Sequence, residues 1–189
     1  MVALVAEVPF TEAEYLALEA VSETRHEFSG GRILGMAGAE LAHNQVVQNV
    51  RMLLGNALLN GPCRVLGSDQ RVKVEATQEY YYPDALVTCL EPRLTGPKPE
   101  SLLNPQIIVE VLSGSTRGYD RADKWLAYRT IPTLTDYVLI SSTAVEWEHY
   151  QRAADGTWSS HTVPKEGAST LSGGVTLQTQ QLYRLVSGI

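Results

Sequence analysis

The sequence is poor in several things, and each shortage excludes a class of protein. Cysteine occurs only twice, as Cys63 and Cys89, with neither metal-ligand spacing nor a disulfide framework. Both stand in apolar runs, which predicts buried free thiols and a reduced, cytoplasmic setting. No apolar run approaches the roughly 18 residues that span a bilayer, so no membrane partner is expected. The first ten residues carry Glu7 and no Lys or Arg, unlike a secretory signal. Repeats and low-complexity tracts are absent. Basic residues are in deficit: 15 Lys+Arg face 21 Asp+Glu, a formal net charge of -6. That balance excludes a surface that attracts nucleic acid everywhere, but it leaves room for a local basic groove.

What remains is the composition of an ordinary globule, 44% hydrophobic over 189 residues, expected to form one domain over 1–189. Thr11 with Glu14 three residues later is a capping box opening a short helix to Val21. Ser29-Gly30-Gly31 separates two short strand signals, a hairpin. Val46, Val50, Leu53, Leu54, Ala57 and Leu58 recur at helical spacing in a long helix from about Glu40 to Asn60, with Asn44, Gln48 and Arg51 on another side. Strand-like runs follow at Cys63 to Gly67, Arg71 to Glu75 and Tyr80 to Leu90. Ile107 to Leu112 reads as a central strand buried on both faces. Asp120 is placed to cap a helix from Arg121 to Arg129. Asp136 to Ser141, Val145 to Gln151 and Thr157 to Val163 continue as strands, and Leu177 to Val186 predicts a small closing helix. The expected fold class is mixed α+β: a central mixed sheet flanked by helices, with an antiparallel meander at the C-terminus.

Three residues carry most of the chemistry. Glu110 interrupts the aliphatic run Ile107-Ile108-Val109-Glu110-Val111-Leu112, where an uncompensated carboxylate costs several kcal/mol. A cation, a metal or hydrogen-bond donors must offset it, unless it sits at the sheet rim. Asp84 follows Pro83 inside a β-rich run, where proline demands an edge, an end or a bulge. A plain Pro-Asp turn is the alternative. Lys124 shares a helical stripe with Asp120 and Tyr128, and a surface Asp120–Lys124 pair would be worth only a few tenths of a kcal/mol. Together, two carboxylates at neighbouring strand ends suit a hard cation such as Mg²⁺, with Mn²⁺ as a substitute, and a nearby lysine suits developing phosphoryl charge.

Pro83-Asp84 followed by Glu110 on the next buried strand resembles the PD-(D/E)XK nuclease signature. In that signature a lysine stands two residues after the second acid, and here that position is Leu112. A longer series of motifs resembles the Uma-type family of restriction-endonuclease-like proteins. It runs through Arg25-His26-Glu27-Phe28, Ala42-His43-Asn44, Ser68-Asp69-Gln70-Arg71, Tyr82-Pro83-Asp84, Val109-Glu110-Val111-Leu112-Ser113 and Tyr119-Asp120-Arg121-Ala122-Asp123-Lys124. The resemblance spans nearly the whole chain. It implies the restriction-endonuclease-like fold, Mg²⁺-dependent nuclease activity, and migration of the lysine to Lys124.

On this reading Asp84, Glu110 and Lys124 are catalytic. Asp84 and Glu110 hold the metal, joined by the Val111 carbonyl and by Glu27, directly or through water. His43, Asn44, Gln70, Ser113 and Arg121 are placed to meet substrate, although helix-start capping explains His43 and Asn44 and turn chemistry explains Gln70 and Ser113. The expected partner is DNA, with RNA not distinguished from it, and a homodimer could form through Val145, Trp147 and Tyr150 unless those residues are core. Two other readings stay open. One is a catalytically inactive nucleic-acid- or protein-binding module, motivated by Leu112. The other is a phosphohydrolase for a small substrate.

Overall fold

A computed structural model describes residues 9–36, 38–96, 98–113 and 123–189. Helix α1 (Glu12–Glu19) opens with the predicted capping box: Thr11 accepts from the Glu14 amide and the Glu14 carboxylate accepts from the Thr11 amide. Strands β1 (His26–Ser29) and β2 (Arg32–Gly35) form the hairpin. Gly30 and Gly31 both hold positive φ, +56° and +75°, the pattern of a type I′ turn. Helix α2 spans Leu41–Leu58. The next strands are β3 (Arg64–Gly67), β4 (Arg71–Val74), β5 (Glu79–Tyr81), β6 (Ala85–Thr88), β7 (Leu94–Thr95), β8 (Ser101–Leu102) and β9 (Ile107–Leu112). Helix α3 (Trp125–Tyr128) precedes β10 (Asp136–Ser141), β11 (Trp147–Arg152) and β12 (Trp158–Val163). The hairpin β13 (Ala168–Thr170) and β14 (Thr176–Gln178) leads into α4 (Thr179–Leu182), where the closing helix was expected.

The mixed α+β class holds, but the strands divide between two six-stranded sheets, β2-β1-β5-β4-β8-β7 and β12-β11-β10-β9-β6-β3. Pro83 is the physical reason. It ends the predicted strand after Tyr81, because proline cannot donate to a ladder, and the chain resumes in the other sheet at Ala85. Both sheets mix directions: β9 pairs β10 in parallel and β6 antiparallel, and β4 pairs β8 in parallel.

Strand alternation distributes β9 between two cores. Ile107, Val109 and Val111 pack with Val46, Val50 and Leu54 of α2, and with Trp147, Leu177 and Leu182. Ile108 and Leu112 face the other way, toward Tyr81 of the first sheet and Ala127 and Tyr128 of α3. Glu110 shares that second face by parity. Tyr15 of α1 stacks on Phe28 with centroids 5.1 Å apart.

One expectation is corrected. Cys63 and Cys89 are not free thiols but a disulfide with Cα atoms 3.8 Å apart. The register explains it: Arg64 pairs Thr88, so the next antiparallel step sets the two cysteines opposite each other. Closing a loop of sequence separation 26 contributes about 2–4 kcal/mol in the chain-entropy account. Reduction, or a Cys63→Ser/Cys89→Ser pair, should lower the urea midpoint accordingly, and an unchanged midpoint would show that the bridge adds nothing. Of the expected dimer face, Trp147 is interior while Val145 and Tyr150 are half-buried. Trp147 is 1% exposed and its indole N–H donates to Thr179 at 2.8 Å, while Tyr150 packs on Trp125.

Candidate active site

Pro83 and the register of β6 against β9 set the site. Ala85 pairs Val109, so one further antiparallel step brings Asp84 opposite Glu110. Asp84 Oδ2 accepts the Val111 amide at 2.7 Å and lies 3.5 Å from His43 Nε2 at the start of α2. Val111 therefore meets the site through its N–H, which fixes the Asp84 carboxylate.

On the same face of β9 as Leu112, Lys124 enters from the turn before α3. Its Nζ lies 3.2 Å from Glu110 Oε1 and 2.8 Å from Glu27 Oε1, and 5.7 Å from the centroid of the Tyr81 ring. All three charged residues are buried: Glu27 is 6% exposed, Glu110 3% and Lys124 5%. The compensation that Glu110 demanded is thus supplied by an ammonium and by Tyr128, whose hydroxyl donates to Glu110 Oε1 at 3.0 Å. Burial first, then the Glu110 and Glu27 charges, push the Tyr128 hydroxyl well above its ordinary value, so it stays a donor. Glu27 is further held by the Tyr82 amide at 3.1 Å. Tyr82 in turn donates to Glu19 at 2.7 Å, and burial first, then that bond, raise its pKa.

Two groups therefore form, His43–Asp84–Val111 and Glu27–Lys124–Glu110, and the pairing of β6 with β9 sets Asp84 and Glu110 on neighbouring strands. The other expected residues have different settings. Asn44 donates to the Ala39 carbonyl at 3.2 Å, a helix-start contact. Gln70 donates to the carbonyls of Arg71 and Glu100, holding its turn. Ser113 follows β9 directly at the strand end. Arg121 and the predicted Asp120 cap lie outside the described residues. Neither Tyr128 nor Tyr82 was among the expected catalytic or metal-holding residues. Tyr128 had a signal, its i+4 spacing from Lys124, whereas Tyr82 contributes a main-chain donor that no side-chain pattern reveals.

A family model described as "Uma2: Putative restriction endonuclease" matches residues 12–183. The chain belongs to the Uma2 family. Two Synechocystis proteins are similar to it. "Uncharacterized protein sll1609" is 37% identical over 148 residues, 78% of this chain and 84% of that protein. "Uncharacterized protein slr1290" is 38% identical over 145 residues, 77% of this chain and 75% of that one. A crystal structure from Anabaena variabilis, described as "a putative nuclease belonging to DUF820", superposes with TM-score 0.75 at 14% identity, covering 93% of this chain and 98% of that one. At that identity the likeness speaks for the fold. Family and fold together support a nuclease-type function for this Uma2 chain.

The donor set can be tested against a divalent cation. Among the described residues no group of three or more His, Cys, Asp and Glu stands ready as a metal cluster. The charge balance is nonetheless suitable: two carboxylates, Glu27 and Glu110, share the one Lys124 ammonium, and Asp84 stands opposite Glu110 in the register. Carboxylate oxygens are the ligands Mg²⁺ prefers, and it needs only one or two from protein. No helix of the described residues is long and apolar enough to cross a membrane.

Proposed function

We propose that this chain is a Mg²⁺-dependent endonuclease that hydrolyses DNA phosphodiester bonds. The observation that carries the reading is Lys124. From the turn before α3 it reaches Glu110 on the β9 face where Leu112 replaces the lysine of the nuclease signature. Asp84 and Glu110 would hold the cation, with Glu27 beside them. When bound, a divalent cation supplies Lewis-acid offset of phosphoryl charge and acidifies water. The protein's own groups do the rest. The Val111 amide orients Asp84, Tyr128 and Lys124 orient Glu110, and the Lys124 ammonium offers a proton donor beside the reacting phosphate.

Supercoiled plasmid incubated with the protein and Mg²⁺ should be nicked, and Asp84→Ala should lose about 10²–10³-fold of that rate. Equal cleavage by wild type and variant would sink the assignment. One observation favours the inactive-module reading, namely that Glu27 and Glu110 are both already bonded to Lys124. Titration calorimetry separates the two, since a module that has closed its site will show no heat with Mg²⁺ or Mn²⁺.

A further inference from the structure

Resting on that reading, we propose that Arg51 is a phosphate-binding residue that grips the DNA backbone next to the phosphate being cut. Arg51 lies two turns beyond His43 on α2, and its guanidinium is pressed onto the backbone of Gly67. A Cβ at Gly67 would fall 2.5 Å from Arg51 Cζ and Nη2 and 2.8 Å from Nη1. The absence of a side chain at position 67 is what lets the planar group lie there. Gly67 pairs with Ala85, the residue after Asp84. The guanidinium therefore lies on the α2 face of β3, one strand from the β6 backbone that follows Asp84, with strands spaced about 4.8 Å apart.

Its charge is available. Among the described residues the Arg51 guanidinium has no hydrogen-bond or ion-pair partner, and the residue is exposed. The contrast with Arg25 at the same turn is informative. Arg25 is ion-paired with Asp69 and donates to the Ser68 carbonyl at 3.3 Å, so its charge is spent within the protein. A nucleic-acid strand whose scissile phosphate lies at Asp84 and Glu110 carries a neighbouring phosphate in either direction. A planar fork with free donors suits that phosphate. The three carboxylates of the site repel DNA, and Arg51 supplies local attraction where the net charge of -6 does not.

The test is binding of a labelled DNA duplex, read by anisotropy across a salt series with Ca²⁺ in place of Mg²⁺ and with gels confirming intact strands. Arg51→Ala should weaken binding about tenfold, alike for unrelated sequences, and flatten the slope of log K against log salt by about one. Arg51→Lys should keep the slope while affinity falls, because charge persists without the fork. Gly67→Ala keeps the charge but displaces the guanidinium, so it should weaken binding on its own and add nothing in combination with Arg51→Ala. Arg25→Ala should leave the slope unchanged. Wild-type binding matched by Arg51→Ala in both affinity and slope would overturn this inference alone. A wild-type protein that neither binds nor cuts DNA would overturn the nuclease reading and the inference with it.

Discussion

Lys124→Ala should both end plasmid cleavage and destabilise the fold, the largest combined effect expected of any single substitution here. The Lys124 side chain is 6% exposed and lies between carboxylates that are 8% and 5% exposed. Removing one partner of a buried ion pair typically costs about 3–5 kcal/mol, because the remaining charge keeps its desolvation penalty without its compensation. Here one ammonium serves two carboxylates, and the Tyr128 hydroxyl and Tyr82 amide cannot replace its charge. The two consequences separate experimentally. Urea unfolding reads the stability loss, and adding Glu27→Gln to Lys124→Ala should recover part of it by removing one orphaned charge. Nicking of plasmid reads the chemistry, which should fall about 10²–10³-fold and stay down in the double variant. Full-rate cleavage by Lys124→Ala would remove the lysine from the proposed mechanism, and an unchanged urea midpoint would show that the carboxylates find compensation elsewhere.

Much of this site was legible because its members violate local patterns. A glutamate in an aliphatic strand and a Pro-Asp step in a β-rich run each break a rule that packing would otherwise enforce, and such breaks mark places where something else is gained. Pro83 even foretold the break between β5 and β6. It did not foretell that the chain would change sheets there, because sheet membership is decided by pairing between distant segments. Lys124 was found through the family resemblance as much as through its helical stripe, since a lysine in a short helix usually faces water. The Cys63–Cys89 bridge was missed for the same reason that the sheets were miscounted. It depends on the register of β3 on β6, and only the register shows that Arg64 faces Thr88. In the acidic start of the chain, Glu19 is buried under Tyr82 and His26, and Glu12 pairs with Lys73 at 2.7 Å.

Asp136→Ala should be the second severe change, and it should alter the acid limb of stability as well as its size. No sequence motif announces this residue. It stands at the start of β10, fully buried, with His149 Nε2 at 2.8 Å, the Thr135 hydroxyl at 2.7 Å and the Ser172 amide at 3.1 Å. His149, also fully buried, continues to Ser169 Oγ at 2.7 Å, and His161 Nε2 lies 3.1 Å from the same hydroxyl. The row Asp136–His149–Ser169 has the order of a proton relay, but its place between β10, β11 and β13 makes it a polar tie that fastens the C-terminal hairpin to the sheet. Burial alone would raise the Asp136 pKa, yet the bonds from His149, Thr135 and Ser172 outweigh it and hold the carboxyl below its ordinary range. A folded value below the unfolded one of about 3.9 means that the stabilisation is fully present above that pH. It is lost as the pH falls through the folded value. Truncation to alanine should cost about 3–5 kcal/mol near neutrality, leaving His149 and the Ser172 amide without their acceptor. Asp136→Asn should cost less and, having no proton to take up, should weaken the fall in urea midpoint between pH 6 and about pH 3. An acid limb identical in wild type and Asp136→Asn would place the acid sensitivity in other carboxylates and leave this tie as packing alone.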